Sequence, residues 1–143
     1  VIAHIWTGLA LGNLLTQPSV DAPLWLILAL ALLAHIVLDL VPHWDYTHST
    51  GAPLWAAIDV TISVITIILA HSYLSLPTSV LLAGAISALP DLDVIAAIQP
   101  SRRKGRRWFP SHLQGFPHGQ CAPRYGIALQ VGIIVISAAL VVL

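Results

Sequence analysis

His35 and Asp39 stand four residues apart, and Asp91 and Asp93 follow Pro90 directly. On a helix, positions i and i+4 lie on one face. His35 and Asp39 therefore suit two ligands of one metal ion, or a ligating imidazole with a carboxylate that orients it. Pro90 removes one helical N–H and opens the backbone there, which lets two carboxylates reach one metal or two. His4 heads a stripe with Gly8 and Gly12, and His112 and His118 lie in a long polar connection. The candidate metal ligands are His4, His35, Asp39, Asp91, Asp93 and His112. A mixed set of imidazoles and carboxylates suits zinc, manganese or iron better than calcium or magnesium, and zinc or manganese is expected. With no thiolate in the set, an open catalytic site is expected rather than a closed structural one. Such a metal would acidify a bound water and polarise an ester or phosphoryl oxygen. Asp39 and Asp93 are the candidate catalytic residues, the carboxylate left over acting as general base.

The elements that must position these residues are apolar helices. Hydrophobic residues make up 57% of the 143 and charged residues only 8%, against roughly 25% charged in an ordinary soluble domain. That balance predicts one integral membrane domain spanning residues 1–143, an all-α bundle of about five transmembrane or half-spanning helices. Apolar segments run over about 1–15, 23–41, 53–74, 78–98 and 125–143, with Pro90 inside the fourth. The runs are rich in Leu and Ala and do not alternate, so strands are not expected. One cysteine, Cys121, excludes an intramolecular disulfide.

All six Lys/Arg residues lie between Arg102 and Arg124, five of them in the run Arg102-Arg103-Lys104-Gly105-Arg106-Arg107. Short loops rich in Lys/Arg stay cytoplasmic, so the connection 99–124 is predicted to face the cytoplasm. Counting back, His4, His35, Asp39, His43, Asp45, His48, Asp59, Asp91 and Asp93 all fall toward the cytoplasmic face. Only Asp21 and His71 fall on the other side. At the helical rise, His35, Asp59 and Asp91 share a depth on the order of 10 Å inside the inner helix ends. Trp44, Tyr46, Trp55, Trp108 and Tyr125 fall near inner ends, and Trp25 and Tyr73 near outer ends, where aromatic belts form. Intramembrane Asp and His are costly and usually face the bundle interior or a wet cavity. Asp21 is read as a helix cap before Pro23, and His71 as a structural hydrogen-bonding residue.

The stretch Ala34-His35-Ile36-Val37-Leu38-Asp39-Leu40-Val41-Pro42-His43-Trp44-Asp45-Tyr46 resembles the "H-x-x-x-D…P-H-x-D" stretch of small bacterial inner-membrane proteins of the YdjM-like group. Pro90-Asp91-Leu92-Asp93 is similar to that group's "P-D-x-D" pattern. An early His before helix glycines (His4, Gly8, Gly12) is similar as well. The order differs, because in that group "P-D-x-D" and an "H-R-G-x-T-H-S" motif precede "H-x-x-x-D". Here the segment from Ser111 to His118 bears only a faint likeness to the latter motif. The resemblance implies a metal-dependent hydrolase in a bacterial inner (cytoplasmic) membrane.

Two functions compete on the sequence. One is a metal-dependent hydrolase acting on a lipid or lipid-linked ester at the cytoplasmic headgroup level, with membrane lipids as partners drawn in by the basic loop. The other is a non-catalytic small subunit of a larger membrane complex, with other membrane subunits as partners and its His residues ligating haem or a chlorophyll-type pigment. Asp39, one turn from His35, argues against a macrocycle there, since an unpaired carboxylate beside it is costly. Five charges in one loop without a recognition fold predict no nucleic-acid partner.

Overall fold

A computed structural model describes residues 1–98, 107–113 and 115–142. Most of the basic run, on which the predicted orientation rests, lies outside the described residues. Among those described, the chain forms six α-helices and no β-strand: α1 (Ile2–Leu15), α2 (Leu24–Leu40), α3 (Ala52–Leu74), α4 (Thr78–Ala88), α5 (Asp91–Ile98) and α6 (Pro123–Val142). Short 3-10 turns occupy Tyr46–His48 and Pro110–His112.

Prolines set most of the boundaries. Pro23 caps α2 in extended conformation, and Val41, extended before Pro42, ends it, as a residue preceding proline prefers. Pro53 falls in the first turn of α3, and Pro123 begins α6, where the missing N–H costs nothing. The fourth predicted segment is two helices rather than one. Its ladder breaks at Leu89-Pro90, and Asp91 and Asp93 open the first turn of α5, where the helix dipole favours negative charge. Asp21 does not cap α2: no side chain bonds the start of that helix. The residue adopts a positive φ of 43° in the preceding turn.

α1 lies at the centre and packs on α4, α6 and α2. The α1–α4 seam depends on small residues. A Cβ at Gly8 would fall 2.5 Å from the Ala83 carbonyl oxygen and 2.8 Å from Gly84 Cα, so only glycine permits this backbone approach. Leu9, Ile27 and Val80 fill the space alongside and are fully buried.

α3 and α6 are each long and apolar enough to cross a membrane, with mean hydropathy 2.0 and 2.3 in their most apolar stretches. Only 22% and 17% of those stretches is buried within the molecule, unlike the core helices of a soluble domain. Large apolar side chains such as Ile62, Ile65, Ile68, Val131 and Ile136 are exposed, while His35, Asp39, Asp91, Asp93 and His112 are buried.

Candidate metal centre

The end of α2, the start of α1, the start of α5 and the 3-10 turn Pro110–His112 meet around the carboxylate of Asp39. His4 Nε2 lies 3.4 Å from Asp39 Oδ1. His35 Nε2 lies 3.1 Å and His112 Nε2 3.3 Å from Oδ2. Three imidazoles from three parts of the chain thus point the same ring nitrogen at one carboxylate.

Each ring is fixed by its other nitrogen. His35 Nδ1 is 2.7 Å from the Ser87 carbonyl. His4 Nδ1 is 3.0 Å from Asp91 Oδ2, and His112 Nδ1 is 2.6 Å from Asp93 Oδ1. All three partners are acceptors, so each Nδ1 carries the hydrogen, and in a neutral ring Nε2 then presents a lone pair. Ligating histidines are held in this way, by an Nδ1–H donated to a carbonyl or carboxylate.

His35 supplies the sharpest observation. Its Nε2 is fully buried and has no hydrogen-bond partner, although Asp39 Oδ2 is 3.1 Å away. A lone pair facing a carboxylate at that distance is repulsive unless a cation or a proton intervenes. Protonating all the rings would crowd positive charge, because the His4 and His35 centroids are 4.0 Å apart and those of His35 and His112 5.5 Å apart. A single divalent cation among the Nε2 atoms and Asp39 answers every lone pair at once. Ligands about 2.0 Å from a tetrahedral ion stand about 3.3 Å from one another, close to the separations of His35 and His112 Nε2 from Asp39 Oδ2. Buried His/Asp clusters here can hold a metal ion: the sets His4, His35, Asp39 and His35, Asp91, His112 each bring one ligand atom per residue within 4.8 Å of one another.

Of the six sequence-predicted ligands, His4, His35 and Asp39 form one set and His35, Asp91 and His112 another, with His112 Nε2 3.3 Å from Asp39 Oδ2. Asp93 stands further back. Besides His112, it accepts the backbone N–H groups of Trp108 and Phe109 at 3.0 and 2.8 Å, so both oxygens are engaged in holding the 107–113 segment against α5. Asp59 is tied elsewhere. It accepts the Tyr46 hydroxyl at 2.9 Å and the Ile2 N–H at 3.0 Å, and the Val1 nitrogen lies 2.9 Å from it. Asp45 accepts the Thr47 N–H and caps a 3-10 turn. His71, in the last turn of α3, is exposed.

Three residues outside the predicted ligand set join the site. Ser111 donates its hydroxyl to Asp39 Oδ2. His43 and His118 form a third set with Asp39, again with ligand atoms within 4.8 Å of one another. The proximity of His118 arises from backbone bonds between the segment after it and the end of α2, a pairing without periodicity to reveal it. A polar cavity of about 60 Å³ opens onto the site, lined among others by His4, Asp39, Asp91, Arg107, His112 and His118.

Electrostatics separates the two loop histidines. Burial opposes protonation of His112, but hydrogen bonds and charge from Asp39 and Asp93 prevail and raise its pKa above the ordinary value. For His118 burial dominates and lowers the pKa, so its ring stays neutral near pH 7. No protein-family model, curated protein or solved structure matches this chain.

Proposed function

We propose that this protein is a membrane-embedded, metal-dependent hydrolase acting on a lipid or lipid-linked ester at the cytoplasmic headgroup level. The observation that carries the reading is the buried, unpartnered His35 Nε2, with its Nδ1 anchored and two further imidazoles converging on the same carboxylate. His4, His35, His112 and Asp39 hold the ion, and the donor set suits zinc or manganese. Bound there, the ion supplies a water acidified toward neutrality and a Lewis acid for the ester oxygen. Asp91 and Asp93 orient His4 and His112 through their Nδ1 hydrogens. Asp93 is thereby a positioning residue, in place of the ligand and catalytic roles expected from its spacing.

The lipid class draws support from a second cavity. An apolar pocket of about 200 Å³ lies between α1, α3, α4 and α5, lined by Ile5, Val60, Val64, Ile67 and Leu89, and shares Val1 with the polar cavity. A substrate with a polar ester and an apolar tail fits such a pair. The exposed apolar faces of α3 and α6 suit a bilayer, and the motif likeness to the YdjM-like group points the same way. Haem or pigment ligation fits poorly, since Asp39 Oδ2 stands 3.1 Å from His35 Nε2 and the His4 ring 4.0 Å from the His35 ring, which leaves no space for a macrocycle against that nitrogen.

The test pairs metal content with hydrolysis, on untagged protein purified without added metal. Bound zinc or manganese together with cleavage of lipid esters in mixed micelles is the expected result. A metal-free, inactive protein that copurifies stoichiometrically with other membrane subunits would overturn the reading.

A further inference from the structure

We infer that the site is dinuclear: Asp39, His43 and His118 hold a second divalent cation, Asp39 bridges the two ions, and the substrate they act on is a phosphoester. This rests on the hydrolase reading and narrows it. Asp39 belongs both to the set with His4 and His35 and to the set with His43 and His118. A carboxylate has two oxygens and about four lone-pair sites, enough to serve both sets. His43 is prepared like the other ligands. Its Nδ1 is anchored 2.8 Å from the Val41 carbonyl, which leaves Nε2 as its lone pair. The His43 and His118 rings meet edge to face at 4.7 Å.

The backbone builds this half of the site. Gly119 donates its N–H to the Asp39 carbonyl at 2.7 Å and accepts from the His43 N–H at 3.3 Å, while Cys121 N–H reaches the His43 carbonyl at 3.1 Å. The segment after His118 is thus strapped to the very turn that carries Asp39 and His43. A Cβ at Gly119 would sit 2.5 Å from the Leu40 oxygen, so the strap lies too close for any other residue. The strap fixes the backbone next to His118 against the turn of Asp39 and His43.

The substrate class follows from the company the second ion keeps. Paired ions clamp the attacking and leaving oxygens of an in-line displacement at phosphorus. Arg107 is the sole Lys/Arg among the described residues lining the polar cavity, and a guanidinium matches phosphate oxygens as a fork. In hydrolysis, the water oxygen bonds to phosphorus, the bond from phosphorus to the alcohol oxygen breaks, and the alcohol leaves with one of the water's two protons.

The experiment titrates Mn²⁺ into metal-stripped full-length protein in detergent, read by bound ions per chain and by electron paramagnetic resonance. Wild type should bind two ions and give a spin-coupled spectrum; His118→Ala and His43→Ala should each bind one and give an isolated six-line spectrum. Saturation of wild type at one ion overturns the dinuclear site and leaves the hydrolase reading intact, whereas no binding at all defeats both. Two ions retained in both variants overturns the assignment of ligands. Because the wild-type stoichiometry and spectrum decide by themselves, a variant that fails to fold does not shelter the proposal. Inorganic phosphate should perturb the coupled spectrum, with Arg107→Gln needing at least tenfold more. Phosphatidic acid in micelles, set against inorganic phosphate, tells a lipid headgroup from a free phosphate. A spectrum that neither probe alters overturns the substrate class.

Discussion

α1 and α4 meet along one seam, yet the two halves of that seam are built by opposite rules. Around Gly12, Val80 and Ala83 the contact is backbone against small side chains, with Leu9, Ile27 and Val80 buried beside it. One to two turns further, the same bundle buries His35, Asp39, Ser87, Asp91, Asp93 and His112. The apolar half satisfies itself by van der Waals contact and needs nothing from outside. The polar half leaves a buried imidazole nitrogen without a partner and gathers carboxylates and lone pairs in one place. Packing explains the first half. Only a bound cation or a set of protons makes the second half tolerable, because unpaired polar groups in a water-poor interior are costly.

The comparison breaks most sharply at Asp39. Asp39→Asn removes the charge on which three imidazoles converge, without disturbing the apolar half. Metal content should fall to background and hydrolysis by more than about 100-fold, since even changes outside the ligand set cost 10–100-fold. Circular dichroism should report an unchanged helical fold. Retention of metal and activity in this variant would remove Asp39 from the centre.

Asp93→Asn comes next. The amide offers one acceptor oxygen where the carboxylate serves His112, Trp108 and Phe109 with two. Affinity for zinc should weaken about 10–100-fold with stoichiometry unchanged at saturation, as expected of an orienting carboxylate. Isothermal titration distinguishes this from a lost ligand, which would lower the number of ions bound.

The apolar half is tested by Gly12→Val. The added side chain would start 2.9 Å from Ala83 Cβ and 3.0 Å from Val80 Cα, so α1 and α4 must separate, at a cost of roughly 1–3 kcal/mol. Thermal unfolding should shift downward in metal-free and metal-loaded protein by similar amounts. A shift confined to the loaded form would mean that the seam and the centre are coupled.

What the sequence made legible divides along the same line. The helices followed from long apolar runs punctuated by proline, and each predicted segment except the fourth, which divides into α4 and α5, has one helical counterpart within a few residues. Pro90 marked a break, but whether it kinks a helix or divides it depends on what the freed carboxylates bind, and Asp91 and Asp93 are drawn to His4 and His112. The i, i+4 spacing of His35 and Asp39 was readable because helix geometry makes it local. Asp93 shows the converse case. Its spacing beside Asp91 implied a shared ligand role, while its partners Trp108, Phe109 and His112 come from a segment that sequence alone could not dock. His118 was out of reach similarly, since its place depends on backbone bonds from Gly119 to Asp39 and His43.

The smallest expected effect is a pH dependence that separates the two halves without a mutation at the centre. In the metal-free protein His112 has a pKa raised above its ordinary 6.5, burial opposing and the hydrogen bonds and charges of Asp39 and Asp93 prevailing. A group whose pKa is higher folded than unfolded adds stability that is complete below the unfolded value and is lost as pH rises through the folded one. His112 should therefore make the metal-free protein lose stability as pH climbs above about 6.5. Metal reverses the sign. Ligation requires a neutral ring, so acid competes with the ion, and the loaded protein should lose stability as pH falls. Thermal melts from pH 5 to 9, with and without saturating zinc, should give opposing slopes in wild type, and both slopes should flatten in His112→Gln. Gly12→Val should lower every point of both curves about equally, because its neighbours Val80 and Ala83 carry no titrating group. Parallel slopes with and without zinc would place His112 outside the metal's reach and return the polar half to a network of protons.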